Sequence, residues 1–496
     1  MTEIARDTET TAGPGTRSGG SSGVVDLNRP RRIHIIGIGG AGMSAIAEVL
    51  VGRGHAVSGS DLSASAVVDR LREAGMVVSV GHDAHNIGDA EIVTHSTAIP
   101  ASNPEMEEAG RRGLPVLRRA EILAELTRVW RTVAVAGTHG KTTTSAMLTA
   151  ALRGVGLDPA FIVGGNLRDL GSGADVGSGD LLVVEADESD GTFVELDAEA
   201  VIVTNVEPDH LEHYGGFDRL RQAFVRFVTQ ATGPRVICID DPGAAALIEF
   251  ITDGPEPVTY GTSPGARWRI SDALPTPTGV SFRVESPGGD VKLHLRQPGM
   301  HNARNATAAL ATAVELGADL EQAAEALSGF GGVGRRFEVR GETEGITLVD
   351  DYAHLPTEVE AALSAARSLQ PRRLVVAFQP HRYSRTEQLW STFGDAFVEA
   401  DVLFVTGIYA SGEAPRAGIT GELIANVVRE NHPEQDVRYV QRLDDLVTAL
   451  LAELRPGDLC MTLGAGDLTT IPDAVLAGLD PASIADGSNP DPGGER

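Results

Sequence analysis

The stretch Val133–Thr144, VAVAGTHGKTTT, decides how the rest of the 496-residue chain is read. Thr132 to Ala136 is an apolar, β-branched run that ends in a glycine turn, and Met147, Leu148, Ala151 and Leu152 then recur on one helical face. Strand, phosphate loop and helix is the order these residues predict. Gly137 and Gly140 let the backbone turn tightly and aim N–H groups inward. Lys141 supplies a point cation for outer phosphates, and the Thr142 hydroxyl suits a Mg²⁺ site. The spacing departs from the Walker A pattern, because only Thr138 and His139 stand between the glycines.

Length predicts about three domains at roughly 150 residues each. The balance of 41 Lys and Arg against 69 Asp and Glu leaves a net charge of −28. Such a surface repels phosphate backbones and anionic lipids, which argues against nucleic acid and membrane partners. Any anionic substrate must then be held by local devices, and Lys141 and Lys292 are the chain's two lysines. The cysteines, Cys238 and Cys460, each sit in an apolar strand-like run and read as buried thiols of a reducing cytoplasm. No apolar run approaches the ~18 residues of a membrane span.

Upstream, residues 1–31 are Gly-, Ser- and Thr-rich and read as a disordered tail. Ile33, Ile35 and Ile36 form a buried-type strand followed by Gly37-Ile-Gly39-Gly40-Ala41-Gly42-Met43-Ser44 and a helical pattern. This G-x-G-x-x-G places helix-start amides where a pyrophosphate can sit. It serves NAD or a UDP-sugar equally. Asp61, roughly 20 residues on, stands where a ribose-binding acid is expected, with a loop cap as the alternative. Ser96 and Thr97 end a further strand and either face the same crevice or form an ordinary turn before Pro100.

Downstream, the strand Leu181–Glu185 ends in Glu185-Ala-Asp187-Glu188-Ser189-Asp190. Carboxylates beside a phosphate loop are what a nucleotide-bound Mg²⁺ needs. Glu185 directly ends the strand, whereas Glu188 and Asp190 fit a solvated loop better. His210, with Asp209, ends the next strand and could take a metal or position a phosphoryl group. No cysteine or regular His spacing supports zinc. Residues 258–297 alternate as short β runs. Asn302 and Asn305 then share one helical face, with amides that match the edge of adenine. Gly331 to Phe337 reads as a hinge into another parallel α/β unit, whose strands Ile346–Val349, Leu374–Phe378, Val402–Thr406 and Leu459–Leu463 carry polar clusters at their ends. Residues from about 480 onward are again Pro-, Gly- and Asp-rich.

GIGGAGMS, AGTHGKTTT, EADESD, TNVEPDH, PGMHNARNA, DDYAHLPTEV and FQPHRYSRT occur in the order seen in the Mur ligases, and the resemblance runs from about Arg32 to Leu476. It implies an α/β fold of three domains: a Rossmann-like UDP-binding domain (32–129), a central P-loop ATPase α/β domain (130–333) and a Rossmann-like α/β C-terminal domain (334–479) that closes over the site, with tails at 1–31 and 480–496. It implies ATP, Mg²⁺, UDP-N-acetylmuramate and L-alanine as reactants of an amide-forming ligase. By motif match, Gly37, Gly39, Gly40, Ala41, Gly42, Met43 and Ser44 would hold the UDP-sugar, with Asp61, Ser96 and Thr97 nearby. Gly137, Thr138, His139, Gly140, Lys141, Thr142 and Thr143 would hold the ATP phosphates, Asn302 and Asn305 the adenine, and Arg336 and Asp351 the nucleotide from the closing domain. Thr142, Glu185 and His210 would organise Mg²⁺. Tyr352, His354, Arg382 and Arg385 would face the amino acid, and Lys141, Glu185, His210, Arg382 and His354 would carry the chemistry. Two features mark the branch. Ala353 and Leu355 stand where the family has Gly and a second His, so no role is carried to Leu355. The stretch Gln222–Phe227 lacks the lysine of the siblings that add later amino acids, as the alanine-adding branch does. A sibling ligase and a dinucleotide-dependent dehydrogenase are the alternatives, and oligomeric state stays open.

Overall fold

The computed structural model describes residues 25–276 and 278–479. Among them the strands form three sheets. The first is parallel, in the spatial order Val77–Val80, Ala56–Asp61, Arg32–Ile36, Ile92–His95, Val116–Arg118. Ile33, Ile35 and Ile36 are buried, and so is His34 between them, as a sheet covered on both faces requires. The expected tail ends earlier than residue 31. Val25 and Leu27 are buried in the same core, a contribution too short to show periodicity. The rest of both expected tails, 1–24 and 480–496, lies outside the described residues.

The second sheet has ten strands and carries the phosphate loop on its strand Arg131–Ala136, flanked in parallel by Ala200–Val203 and Leu181–Glu185. Its far end turns antiparallel through the strands Trp268–Thr276, Gly279–Ser286 and Gly289–Leu295, the β-like stretch expected from sequence. The helices Lys141–Gly154 and Met300–Glu315 pack together on one face, with Ala306, Ala309 and Ala313 buried. Small side chains let these helices approach closely.

The third sheet runs Glu338–Thr343, Ile346–Asp351, Asp458–Leu463, Arg373–Phe378, Val402–Thr406, Asp436–Val440. Its interior is parallel as expected, but Glu338–Thr343 pairs antiparallel with Ile346–Asp351. A hairpin through Glu344 and Gly345, both at positive φ, makes this edge. Cys238 and Cys460 are buried free thiols on strands.

One buried polar cluster lies under the first glycine turn. Glu105, fully buried, accepts hydrogen bonds from Ser60 Oγ (2.6 Å), Asn86 Nδ2 (2.8 Å) and the Asp83 amide (3.1 Å), and faces His34 Nε2 at 3.2 Å. Burial would raise its pKa, but the hydrogen bonds from His34, Ser60 and Asn86 outweigh that and hold it at about 2, against 4.5 for a free glutamate. A lowered carboxylate pKa adds stability that is complete above the unfolded value and is lost as pH falls from about 4.5 towards 2. Glu105→Ala should lower stability at pH 7 by about 3 kcal/mol and by much less near pH 2, because it strands several buried donors. Denaturant melts of both proteins at the two pH values test this. Equal stability at pH 7 would contradict it.

Candidate active site

The phosphate loop is shaped by contacts that leave no room for a Cβ. Gly137 has φ +140°, and a Cβ there would lie 2.0 Å from Thr204 Oγ1; Gly140 has φ +81°, and its Cβ would lie 2.8 Å from Asn305 Oδ1. The segment after the neighbouring strand Ala200–Val203 holds the loop from the side. Asn205 Oδ1 accepts from the His139 amide (2.7 Å), Asn205 Nδ2 and Thr204 Oγ1 donate to the His139 carbonyl (3.1 and 2.6 Å), and the Glu207 amide donates to Thr138 Oγ1 (2.9 Å). The cradle is therefore pre-formed.

Lys141 Nζ donates to the Gly137 carbonyl (2.6 Å) and to both Glu188 oxygens (2.8 and 3.1 Å). Burial opposes the lysine charge, but Glu188, Asp187 and Glu185 outweigh it and raise the pKa. Glu188 is 1 % exposed, so the solvated-loop reading fails for it. Thr142 Oγ1 lies 3.0 Å from Glu185, whose carboxylate also accepts the Gly164 amide at 2.8 Å. His210 sits at φ +53° with Nε2 3.4 Å from Asp209, and lines the same cleft. Among the described residues no three His, Cys, Asp or Glu side chains are gathered as a ready-made metal site. Thr142 and Glu185 do meet, and a hydroxyl beside a carboxylate is an oxygen donor set that suits Mg²⁺, which takes few protein ligands and completes its shell with phosphates and water.

The first glycine turn is braced internally. The Gly37 and Ile38 amides donate to the Ser60 carbonyl, and the Gly39 amide donates to Asp61 Oδ2 at 2.9 Å. Asp61 thus staples the loop through Oδ2. Gly40 heads the helix Ala41–Gly52 without a side-chain cap, so the Ala41 and Gly42 amides remain for a ligand, whereas the Met43 amide already donates to the Gly40 carbonyl. Met43 and Ser44, expected at the sugar nucleotide, have their side chains turned inward. Met43 is buried in the core, and Ser44 is buried with its hydroxyl donated to the Ala41 carbonyl. Ser96 lies against Gly37, 3.1 Å from where its Cβ would be, while Thr97 is exposed beside it. Arg119 comes within 3.1 Å of a Cβ placed on Gly42, so the guanidinium packs close against the bare backbone of the turn.

From the third sheet, His354 Nδ1 donates to the Tyr352 carbonyl at 3.0 Å, which leaves Nε2 with its lone pair. Its ring packs edge-on against His381, which stacks on Tyr409. His381 Nδ1 accepts from Arg385 at 3.2 Å. Burial lowers the pKa of His354, and burial with His354, Arg385 and Arg382 lowers that of His381 to about 3, so both rings are neutral near pH 7. Arg382 is held at φ +65°, a strained position that aims it at the loop's mouth without any side-chain hydrogen bond among the described residues. Arg335 and Arg336 both lie 4.9 Å over the Tyr352 ring. Asp351 spends its oxygens on the Phe337 and Ala353 amides, and burial raises its pKa to about 6. These two bonds brace the hinge.

These pieces meet in one cleft of about 770 Å³. Its walls hold Ala41 from the first glycine turn, His139–Thr142, Glu185 and His210 from the second sheet, and Arg336, Tyr352, His354, Arg382 and Arg385 from the third. A second cleft of about 350 Å³, with Gly42, Ser44 and Arg119, adjoins it and shares Ala41, Gly164, Glu185 and Asp187. A narrower cavity of about 220 Å³ runs beside Gly140 and Thr143 and is lined by His301, Asn302, Asn305, Phe330, Arg336 and Asp351. Asn302 Nδ2 is committed to the Pro298 carbonyl at 2.8 Å, which fixes the orientation of its amide. Sequence reasoning missed Arg119, Asn205, Glu358 and His381. Asn205, Glu358 and His381 stand inside motifs already singled out, whereas nothing local marks Arg119.

The comparisons agree with this geometry. Residues 32–131 match the model of the Mur ligase family catalytic domain, 135–313 the Mur ligase middle domain, and 335–466 the Mur ligase glutamate ligase domain. The chain is 47 % identical over 460 residues to a UDP-N-acetylmuramate–L-alanine ligase of Myxococcus xanthus, covering 92 % of this chain and 96 % of that one. It is 45 % identical over 461 residues to the protein of that name in Geobacter sulfurreducens, covering 92 % and 99 %. The crystal structure of a UDP-N-acetylmuramate–alanine ligase from Thermotoga maritima superposes with a TM-score of 0.76 at 30 % identity, covering 90 % and 99 %. By motif order, three matched domains and near-full-length relatives, the chain belongs to the Mur ligase family.

Proposed function

We propose that the chain joins L-alanine to the lactyl carboxylate of UDP-N-acetylmuramate, converting ATP to ADP and phosphate. The observation that carries this reading is the single cleft into which both glycine turns and the His354–Arg385 cluster open. The relatives named for this activity support the same substrates. The proposed domain bounds are 32–129, 130–333 and 334–479, and a cytoplasmic location fits two buried free thiols.

The carboxylate is a poor acylating agent, so the γ-phosphoryl is first transferred to it, giving an acyl phosphate and ADP. The amine of L-alanine then attacks the carbonyl, loses a proton, and expels phosphate. In the first step negative charge crowds one point. Lys141 and the amides of 137–141 offset it, and their fixed geometry adds no reorganisation cost. Thr142 and Glu185, with His210 across the cleft, would hold Mg²⁺, which supplies positive charge to the phosphates. Glu188 keeps Lys141 compensated until phosphate oxygens replace it. Ala41 and Gly42 amides and Arg119 hold the sugar nucleotide's diphosphate, with Ser96 beside the turn. The adenine lies in the cavity of Asn302 and Asn305. Arg382 and Arg385 grip the alanine carboxylate, and neutral His354, through Nε2, takes the ammonium proton. Closure of the third sheet over the second excludes water that would hydrolyse the acyl phosphate.

Phosphate release measured with ATP, Mg²⁺ and UDP-N-acetylmuramate across an amino-acid panel should be fastest with L-alanine. No release with L-alanine would overturn the assignment. Lys141→Ala should cut turnover by roughly 10²–10³-fold or more while its far-UV spectrum stays that of the parent. Parental turnover in the folded variant would remove Lys141 from the mechanism.

A further inference from the structure

Glu358 lies on the third-sheet side of the cleft, in the first turn of the helix Pro356–Ser368, and its two oxygens face different domains. Oε2 accepts the backbone amides of His354 (3.0 Å) and Leu355 (3.2 Å) and lies 3.3 Å from His354 Nδ1. Oε1 lies 3.1 Å from Nδ1 of His139, which belongs to the phosphate loop. The other His139 nitrogen faces Glu207 at 3.3 Å and Thr357 Oγ1 at 3.2 Å, and Thr357 Oγ1 also donates to Glu207 at 3.2 Å. Only 14 % of the Glu358 side chain and 16 % of the His139 side chain is exposed, so solvent screening of these bonds is reduced. Burial opposes the His139 charge, but Glu207 and Glu358 outweigh it and hold its pKa at about 9, so the ring donates through both nitrogens near neutral pH.

We propose that Glu358 is a positioning residue that couples nucleotide seating to amino-acid seating, by tying the phosphate-loop His139 and the His354 backbone to one carboxylate. Both oxygens are already engaged, Oε1 by His139 and Oε2 by the His354 and Leu355 amides, so Glu358 acts through these groups. A phosphate loop displaced by even part of an ångström drags His139, and with it the carboxylate that sets the His354 backbone. The reverse holds when alanine fixes His354, because coupling between two binding events is reciprocal. The inference rests on the ligase reading above.

Glu358→Gln separates this role from helix capping. A glutamine at this helix position still accepts the His354 and Leu355 amides, as in a capping box, but turns an NH₂ donor towards the His139 donor. Steady-state KM values for ATP, L-alanine and UDP-N-acetylmuramate are measured for the wild type, Glu358→Gln, His139→Asn and the double variant. The expected result is a tenfold or larger rise in KM for both ATP and L-alanine in each single variant, with the sugar-nucleotide KM within twofold. The double variant should lie within twofold of the worse single variant. His139→Asn is decisive by itself if Glu358→Gln does not fold, since a phosphate-loop change must then weaken an amino acid held by the other domain. An unchanged alanine KM in His139→Asn, or full multiplication of the two effects in the double variant, would overturn the coupling. A drop in melting temperature with all KM values unchanged would leave Glu358 as a helix cap only. Failure of the wild type to release phosphate with L-alanine would instead sink the ligase reading, and this inference with it.

Discussion

A buried lysine in a protein of net charge −28 has to be compensated at short range, and Lys141 is compensated by Glu188. The pair sets the character of the whole site. The protein's overall field repels phosphates, so the proposed anion sites rely on groups that act over a few ångströms: backbone amides of two glycine turns, one lysine and a few arginines. Gly137 and Gly140 are fixed by collisions that any Cβ would make with Thr204 and Asn305. The second sheet thereby shapes the cradle before any ligand arrives, and the lysine is already turned into it.

Amide formation from a carboxylate demands that a triphosphate, the carboxylate and an amine converge while water is kept out. Three sheets with parallel interiors each offer the carboxyl ends of their strands to one cleft, which is how open α/β sheets gather ligands. Ala41 and Lys141 face the same space, and the third sheet adds the histidines and arginines. Strain accumulates at this junction: His210, Arg335, Phe337 and Arg382 all have positive φ without being glycine. Such conformations persist only where surrounding structure over-determines them. Here the Asp351 carboxylate pins Phe337, and the Gly464 and Gly466 carbonyls hold the Arg335 guanidinium.

Much of the fold was legible because apolar strand runs ending in glycine or polar clusters carry both the element and its active end. Arg131–Ala136, Leu181–Glu185, Val402–Thr406 and Leu459–Leu463 fall where the pattern places them. The antiparallel edge Glu338–Thr343 escaped, since its half-exposed, charge-rich face gives no buried run. Among site residues, Glu188 looks solvent-facing in the sequence because four acids in six positions are hydrophilic, and only tertiary contact with Lys141 buries it. Met43 and Asp61 fit a ligand motif by spacing, which does not encode that Met43 packs in the core or that Asp61 bonds the Gly39 amide. Arg119 shares a cleft with Gly164 and Glu185, and Glu358 bonds His139, in each case across a domain seam that linear spacing does not encode.

Isotope transfer tests the convergence of the two cradles most directly. UDP-N-acetylmuramate labelled with ¹⁸O in both oxygens of its lactyl carboxylate is turned over with ATP, Mg²⁺ and L-alanine, and the released phosphate is analysed by mass. One ¹⁸O per phosphate is the expected result, because the carboxylate oxygen that attacks the γ-phosphoryl leaves with it. Phosphate carrying no ¹⁸O, with amide product formed, would contradict a mechanism in which the two anions meet.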